Sequence, residues 1–134
     1  MNKLFKREDF ESNDGMLTAI WGPSMWHFLH TMSFNYPVKP SKEQKEHYYN
    51  YLMSLEKVLP CKYCRNNYQG NLKNCKFSRR VLRNRATFSK FIYNLHEEVN
   101  KMLGKNSGLS YDDVRNRYEH FRARCLNEKK KTKK

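Results

Sequence analysis

Apolar residues recur at helical spacing along most of the chain. The clearest series lies in its second half: Phe88, Ile92, Leu95, Val99 and Met102. Steps of three and four residues place these side chains on one face of an α-helix. Gly104 follows directly, where the left-handed residue that ends a helix is common. The pattern therefore predicts an amphipathic helix that ends near residue 104.

Two further helices are predicted to begin at capping motifs. Ser41 is followed three residues later by Gln44, and Ser110 is followed by Asp113 at the same spacing. An apolar stripe follows each motif: Tyr48, Leu52, Leu55 and Leu59 after the first, and Val114, Tyr118, Phe121 and Cys125 after the second. Pro60 ends the first of these helices.

Two more helices complete the predicted set. Pro23 suits the first turn of a helix whose inward face carries Trp26, Leu29, His30 and Ser33. Another helix is expected to start at Cys61 and run to about Leu72, and residues 74–84 are basic and irregular. No strand pattern and no repeat is evident. The predicted fold class is all-α, a four-helix bundle with a short fifth helix.

A chain of 134 residues is long enough for one domain with a modest core. We expect residues 1–19 to form a loose N-terminal arm, residues 20–127 the folded domain, and residues 128–134 a basic tail. No apolar run approaches the length of a membrane span. The basic N-terminal residues are followed by acids rather than by an apolar stretch, so we expect no secretion signal.

The formal net charge is +14, and residues 61–90 contain Lys and Arg but no Asp or Glu. Such a charge run is usually a solvated face. A surface this basic also attracts nucleic acid, anionic lipid or a cofactor phosphate.

Two of the four cysteines form the sequence Cys61-Lys62-Tyr63-Cys64, directly after a proline. At a helix N-terminus, and beside Lys62 and Arg65, thiolate is favoured over thiol. Such a pair is redox-active, half of a zinc site, or a structural disulfide. Zinc sites usually show a second pair of ligands, which the isolated Cys75 and Cys125 do not provide, so redox chemistry is favoured.

Two competing hypotheses remain open on the cysteines alone. One is a zinc-stabilised basic module that binds nucleic acid and uses Cys61, Cys64, Cys75 and Cys125 or His96 as ligands. The other is a structural protein with an inert disulfide. His30 lies one turn after Trp26, and His96 lies one turn before Asn100. Taken singly, each is interpreted as a buried core histidine.

The three motifs together resemble the Erv/ALR family of FAD-linked sulfhydryl oxidases. They are Trp26-x-x-Leu29-His30, then the cysteine pair, then His96-x-x-Val99-Asn100 followed by Gly104-Lys105. The resemblance extends from residue 21 to about residue 125. It implies a helical bundle that binds FAD non-covalently and forms a homodimer.

The resemblance also implies site residues. The residues expected to contact the cofactor are Gly22, Trp26, His30, Tyr36, His96, Asn100, Lys105 and Tyr118. Tyr118 stands where many members have a tryptophan that packs on the adenine. Cys61 is the sulfur attacked by substrate thiols, and Cys64 is the one nearer the flavin. The implied reaction makes disulfides in thiol-containing substrate proteins and reduces oxygen to hydrogen peroxide.

The chain departs from the family pattern at two positions in and just before the third motif. Glu97 replaces an asparagine, and Tyr93 replaces a cysteine that usually pairs with one placed like Cys75. Cys75 is therefore expected to pair with Cys125, to remain free, or to bridge two subunits.

The WGPxxW opening resembles oxidases of large cytoplasmic DNA viruses. It implies the cytoplasm of an infected cell or the virion as the location, with the mitochondrial intermembrane space as the alternative.

Overall fold

A computed structural model describes residues 6–124 of the protein. These residues form six α-helices: α1 Arg7–Glu11, α2 Thr18–Phe34, α3 Lys42–Val58, α4 Lys62–Asn74, α5 Arg85–Met102 and α6 Tyr111–Glu119. A 3-10 helix, Arg79–Leu82, connects α4 to α5. The helices from α2 to α6 are the predicted bundle with its short last helix, which confirms the all-α class. No strand occurs in this part of the chain.

The core lies between α2, α3, α4 and α5. Its fully buried apolar side chains include Leu29, Leu52, Leu82, Phe88, Ile92 and Leu95. Two tyrosine hydroxyls tie the layers together by donating to main-chain carbonyls: Tyr36 to Leu82 and Tyr68 to Leu52, each at 2.6 Å. The first bond joins the segment after α2 to the 3-10 helix, and the second joins α4 to α3.

Local capping chemistry sets three helix starts. Ser41 with Gln44 and Ser110 with Asp113 form complete capping boxes, as predicted. A third box, Asn84 with Thr87, starts α5. Gly104 has φ +74 after the end of α5, which confirms the predicted left-handed residue.

The start of α2 differs from the prediction. The helix begins at Thr18 rather than near Pro23, so this proline lies in its second turn instead of its first. The earlier start follows from the segment before the helix, where the carbonyl of Leu17 accepts hydrogen bonds from Ile20 (2.9 Å) and Trp21 (3.4 Å). Because Pro23 has no N–H, it donates no hydrogen bond to the helix.

Other details also depart from the expected pattern. Residues 7–11 within the predicted arm are helical, as are residues 79–82 within the segment expected to be irregular. Phe121 was predicted to face inward, but α6 ends at Glu119 and the Phe121 side chain is 61% exposed. Cys125 and the tail 128–134 lie outside the described residues. No helix within residues 6–124 has both the length and the apolarity that crossing a membrane requires.

Candidate functional site

The cysteine pair lies at the N-terminus of α4. Cys61 is the N-cap residue, and its Sγ accepts a hydrogen bond from the backbone N–H of Cys64 at 3.2 Å. The two Sγ atoms are 2.6 Å apart as free thiols. This is about 0.5 Å more than a disulfide bond, so a small side-chain movement suffices to join them.

A hydroxyl from another helix completes the sulfur environment. Thr18, the first residue of α2, places its Oγ1 3.8 Å from the Sγ of Cys61 and 3.7 Å from that of Cys64. The preceding segment is held beside the pair by an antiparallel bridge between Gly15 and Cys61. Thr18 could not be found from the sequence, because it stands 43 residues before Cys61 and belongs to no motif.

The two thiols differ in acidity. Burial raises the pKa of Cys61, but hydrogen bonds from the side chain and backbone of Cys64 and from Thr18 outweigh it, so the pKa of Cys61 is lowered. The pKa of Cys64 is raised by burial and by its hydrogen bond to Cys61. Thus the first proton to leave the pair leaves the negative charge on Cys61, where the helix N-terminus also favours it.

A cavity of about 750 Å³ opens beside Cys64. Eight of the ten predicted site residues line it: Gly22, Trp26, His30, Cys64, His96, Asn100, Lys105 and Tyr118. Such volumes are typical of small-molecule sites, which span about 300–1,000 Å³. The bundle therefore brings together one sulfur of the pair and residues of the other two motifs, which are far apart in sequence.

The centre of the cavity wall is an aromatic and imidazole cluster. The rings of Trp26 and His96 stack with centroids 4.1 Å apart and planes 5° apart. His30 Nε2 lies 2.9 Å from His96 Nδ1, so one of these nitrogens donates to the other. Burial, followed by the nearby His96 and His27, lowers the pKa of His30 to about 4. Both imidazoles are consequently neutral at physiological pH, since burial also lowers the pKa of His96.

Tyr118 lies at another part of the cavity wall. Its ring stacks on Phe34, with centroids 5.6 Å apart, and its hydroxyl lies 2.9 Å from His27 Nδ1. His27 also lines the cavity and was missed by the sequence analysis. Its spacing of three residues from His30 was a usable signal, because residues three apart share a helix face.

The end of α5 presents polar groups to the cavity. The backbone N–H of Lys105 donates to the carbonyl of Asn100 at 2.7 Å, which folds the chain back after Gly104 and directs Lys105 toward the cavity. Glu97, the departure from the family pattern, accepts a hydrogen bond from the Ser107 hydroxyl at 2.8 Å. That carboxylate thus holds the loop after α5.

Two of the predicted site residues do not line the cavity. Tyr36 is fully buried in the core, where its ring packs edge-on against Tyr48 and its hydroxyl bonds to Leu82. This position does not support a cofactor contact for Tyr36. Cys61 lies outside the cavity lining and pairs with Gly15, with 9% of its surface exposed.

Cys75 lies at the opposite end of α4, away from the pair. It is a free thiol whose Sγ is 3.6 Å from the carbonyl oxygen of Asn94. Tyr93, which occupies the place of the usual cysteine partner, donates its hydroxyl to the carbonyl of Leu109 at 2.5 Å. Within residues 6–124, no three His, Cys, Asp or Glu side chains are grouped to hold a metal ion, which leaves the zinc hypothesis without support there.

Comparisons with known proteins agree with this geometry. Residues 23–121 match the model of the Erv1 / Alr family. A probable FAD-linked sulfhydryl oxidase of Acanthamoeba polyphaga mimivirus is 35% identical over 94 residues, covering 70% of this chain and 65% of the relative. An FAD-linked sulfhydryl oxidase of Arabidopsis thaliana is 30% identical, covering 63% of this chain and 42% of the relative. The chain thus spans less than two thirds of the length of either protein.

Solved structures show the same fold. The yeast Erv1 core superimposes with a TM-score of 0.68 at 22% identity, covering 78% of this chain and 86% of that chain. A mutant of Erv1 from Saccharomyces cerevisiae gives a TM-score of 0.70 at 20% identity, covering 84% and 92%.

Proposed function

Because the chain belongs to the Erv1 / Alr family, we propose that it is an FAD-dependent sulfhydryl oxidase that forms disulfide bonds in substrate proteins. The observation that carries the proposal is the position of Cys64. Its sulfur faces a large cavity lined by stacked aromatic and imidazole rings, while its partner sulfur lies 2.6 Å away. A dithiol beside a cofactor-sized cavity is the arrangement that two-electron transfer requires.

The cavity has chemical features that fit FAD. His30 Nδ1 is buried and has no hydrogen-bond partner within residues 6–124, so it is available to a polar group of a ligand. Gly22 lines the same wall, and a Cβ at this position would lie 3.3 Å from the Cγ2 of Thr18. We propose that Trp26, His30 and His96 hold the flavin nucleotide and that Tyr118 packs on the adenine.

The polar end of the cavity suits the diphosphate and ribose of the same cofactor. Asn100 supplies an amide, and Lys105 supplies a positive charge that pairs with phosphate. When bound, FAD would accept two electrons from the dithiol and pass them to oxygen, giving hydrogen peroxide.

The protein side of the reaction is thiol–disulfide exchange. We propose that a substrate thiolate attacks the Sγ of Cys61 in the Cys61–Cys64 disulfide and that a second substrate thiol releases the oxidised product. Cys64 is then the sulfur that delivers electrons across the cavity. Lys62 and the N-terminus of α4 stabilise the negative charge that this exchange leaves on sulfur.

Partners and location remain part of the proposal. Ile20 and Phe28 are 74% and 56% exposed on one face of α2, and this apolar face supports a homodimer. The mimivirus relative favours the cytoplasm of an infected cell or the virion, and fungal relatives named as mitochondrial keep the intermembrane space as the alternative. The basic surface supports binding to nucleic acid as a secondary role.

The test begins with the absorption spectrum of the purified protein. We expect flavin bands that bleach when dithiothreitol is added under nitrogen and return when oxygen is admitted, with consumption of oxygen. Cys61→Ser and Cys64→Ser should each retain the flavin and lose oxygen uptake. A colourless protein, or uptake that survives both substitutions, would contradict the proposal.

A further inference from the structure

A short strap, which we define as residues 14–18, crosses the N-terminal end of α4. The carbonyl of Asp14 accepts from the Lys62 N–H at 3.4 Å, and the Met16 N–H donates to the Pro60 carbonyl at 2.8 Å. The indole N–H of Trp21 donates to the carbonyl of Met16 at 3.0 Å and so ties the strap to α2. The strap is thus attached both to the cysteine loop and to the first turns of α2.

Gly15 makes this close approach possible. It has φ +99, and it forms the antiparallel bridge to Cys61. A Cβ at this position would lie 2.7 Å from the Cα of Cys61 and 2.7 Å from the carbonyl oxygen of Pro60, both main-chain atoms that have little freedom to move. Any larger residue would therefore push the strap away from the cysteine pair.

Thr18 ends the strap, and its hydroxyl lies almost equally far from both sulfurs, at 3.8 Å and 3.7 Å. A threonine hydroxyl carries one proton, so it donates to one sulfur at a time. We propose that the Thr18 hydroxyl is a catalytic hydrogen-bond donor that serves whichever sulfur of the Cys61–Cys64 pair carries the negative charge, and that the strap positions it. This inference rests on the proposed thiol oxidase function and adds a residue to its machinery.

The exchange reaction places charge on each sulfur in turn. When a substrate thiolate attacks the Sγ of Cys61, a substrate–Cys61 bond forms, the Cys61–Cys64 bond breaks, and the electron pair leaves on Cys64. Thr18 then donates to the Cys64 thiolate. When a second substrate thiolate attacks the first substrate sulfur, the product disulfide forms, the bond to Cys61 breaks, and its electron pair remains on Cys61.

At that stage both sulfurs of the pair are reduced. One proton is taken up from solvent, and the 2.6 Å separation allows the two sulfurs to share it. Rotation about the Cα–Cβ bond of Thr18 aims its hydroxyl proton at Cys61 without movement of the backbone. The acidities agree with this role. Burial acts to raise the pKa of both thiols, and the hydrogen bond from Thr18 acts to lower the pKa of both.

Thr18→Val tests the proposal, because valine keeps the shape of threonine and removes the hydroxyl. The measurement is the pH dependence of iodoacetamide alkylation of the reduced full-length protein, with Cys75→Ser and Cys125→Ser present so that only the pair reacts. We expect the pH midpoint to rise by about one unit, since a hydrogen bond to the charged form is lost. Nucleophilicity rises with pKa, so alkylation below the midpoint should slow by about threefold.

Thr18→Ser is the matched control, since it restores the hydroxyl without the methyl group and should return the midpoint to that of the parent protein. Thr18 is exposed at the start of α2, and Thr18→Ala gives a second variant without the hydroxyl. A parental midpoint in both Thr18→Val and Thr18→Ala would overturn the proposal. So would a Thr18→Ser variant as shifted as Thr18→Val, because the methyl group would then be responsible.

Gly15→Ala tests the strap independently, since it displaces the hydroxyl without removing it. Its midpoint should rise in the same direction as that of Thr18→Val. Gly70→Ala is the control, because a Cβ at Gly70 of α4 meets nothing within 4 Å, and it should leave the midpoint unchanged. An unshifted midpoint in Gly15→Ala would show that the strap does not position Thr18.

Alkylation requires neither flavin nor oxygen, which separates this inference from the proposed function. A protein without flavin and without oxygen uptake would refute the oxidase but leave the Thr18 measurement valid. Conversely, an active enzyme with bound flavin, in which the pH midpoint of alkylation is the same with and without the Thr18 hydroxyl, would refute only the inference.

Discussion

The two ends of α4 hold cysteines in opposite environments. At its N-terminus, Cys61 accepts hydrogen bonds from Cys64 and Thr18, and its pKa is lowered. At its C-terminus, Cys75 is the C-cap residue, and its pKa is raised to about 11 by burial and then by the carboxylate of Glu98. One helix thus carries a sulfur suited to thiolate chemistry and another suited to remain a thiol.

Residue type alone therefore does not decide the chemistry of a cysteine. Backbone N–H groups point outward at a helix N-terminus and stabilise an anion there, whereas carbonyl oxygens at the C-terminus repel one. Only the N-terminal pair also borders the large cavity through Cys64. The helix N-terminus and the cavity lie at the same end of α4, so the reactive sulfurs are those at its N-terminus.

The largest expected difference between the two ends of α4 is in the rate of oxygen uptake. Cys64→Ser should reduce dithiothreitol-dependent oxygen uptake to background, because no disulfide can form at the cavity. Cys75→Ser should change the rate by less than about twofold, since serine keeps a donor to the carbonyl of Asn94. A large loss in Cys75→Ser, with flavin content unchanged, would contradict the assignment of the two ends.

Alkylation rates should separate the same two sulfurs. Relative to Cys61, Cys75 should have at least about a hundredfold less thiolate at neutral pH, partly offset by the greater nucleophilicity of a less acidic thiol. We expect Cys61 to react about tenfold faster or more with iodoacetamide, as measured by peptide mass spectrometry of the reduced protein. Equal rates at both positions would show that the helix ends do not differ.

Stability in alkaline solution should report the raised pKa of Cys75. The folded protein holds this thiol protonated, so its contribution is complete below the pKa of the unfolded thiol and is lost as pH rises toward the folded value of about 11. After allowance for partial exposure, we expect a loss of about 1 kcal/mol between about pH 8 and pH 10. Urea unfolding under reducing conditions should show a loss that is larger by this amount in the parent protein than in Cys75→Ser.

The smallest effect concerns the charges around Cys75. Glu98 raises the pKa of this thiol and Lys101 lowers it. Glu98→Gln should therefore speed alkylation of Cys75 by about twofold, and Lys101→Gln should slow it by a similar factor. Both variants should leave the alkylation of Cys61 unchanged. Shifts of the same sign in the two variants would contradict an electrostatic cause.

Much of the fold could be predicted from the sequence. The capping boxes at Ser41 and Ser110 and the glycine at position 104 were correct because they depend on residues within a few positions of one another. The predicted start of α2 was wrong. The helix begins at Thr18, where the carbonyl of Leu17 accepts from Ile20 and Trp21, and no side-chain cap marks this position in the sequence.

The candidate site divides in the same way. Periodicity and capping are properties of neighbouring residues, so the sequence predicted helices α3 to α6, the cysteine pair at a helix start, and the faces that carry His30 and His96. The packing of the helices brings Thr18 to both sulfurs, places Cys64 rather than Cys61 at the cavity, and buries Tyr36 in the core. These outcomes depend on how helices distant in sequence pack against one another, and no spacing within a single helix encodes that distance.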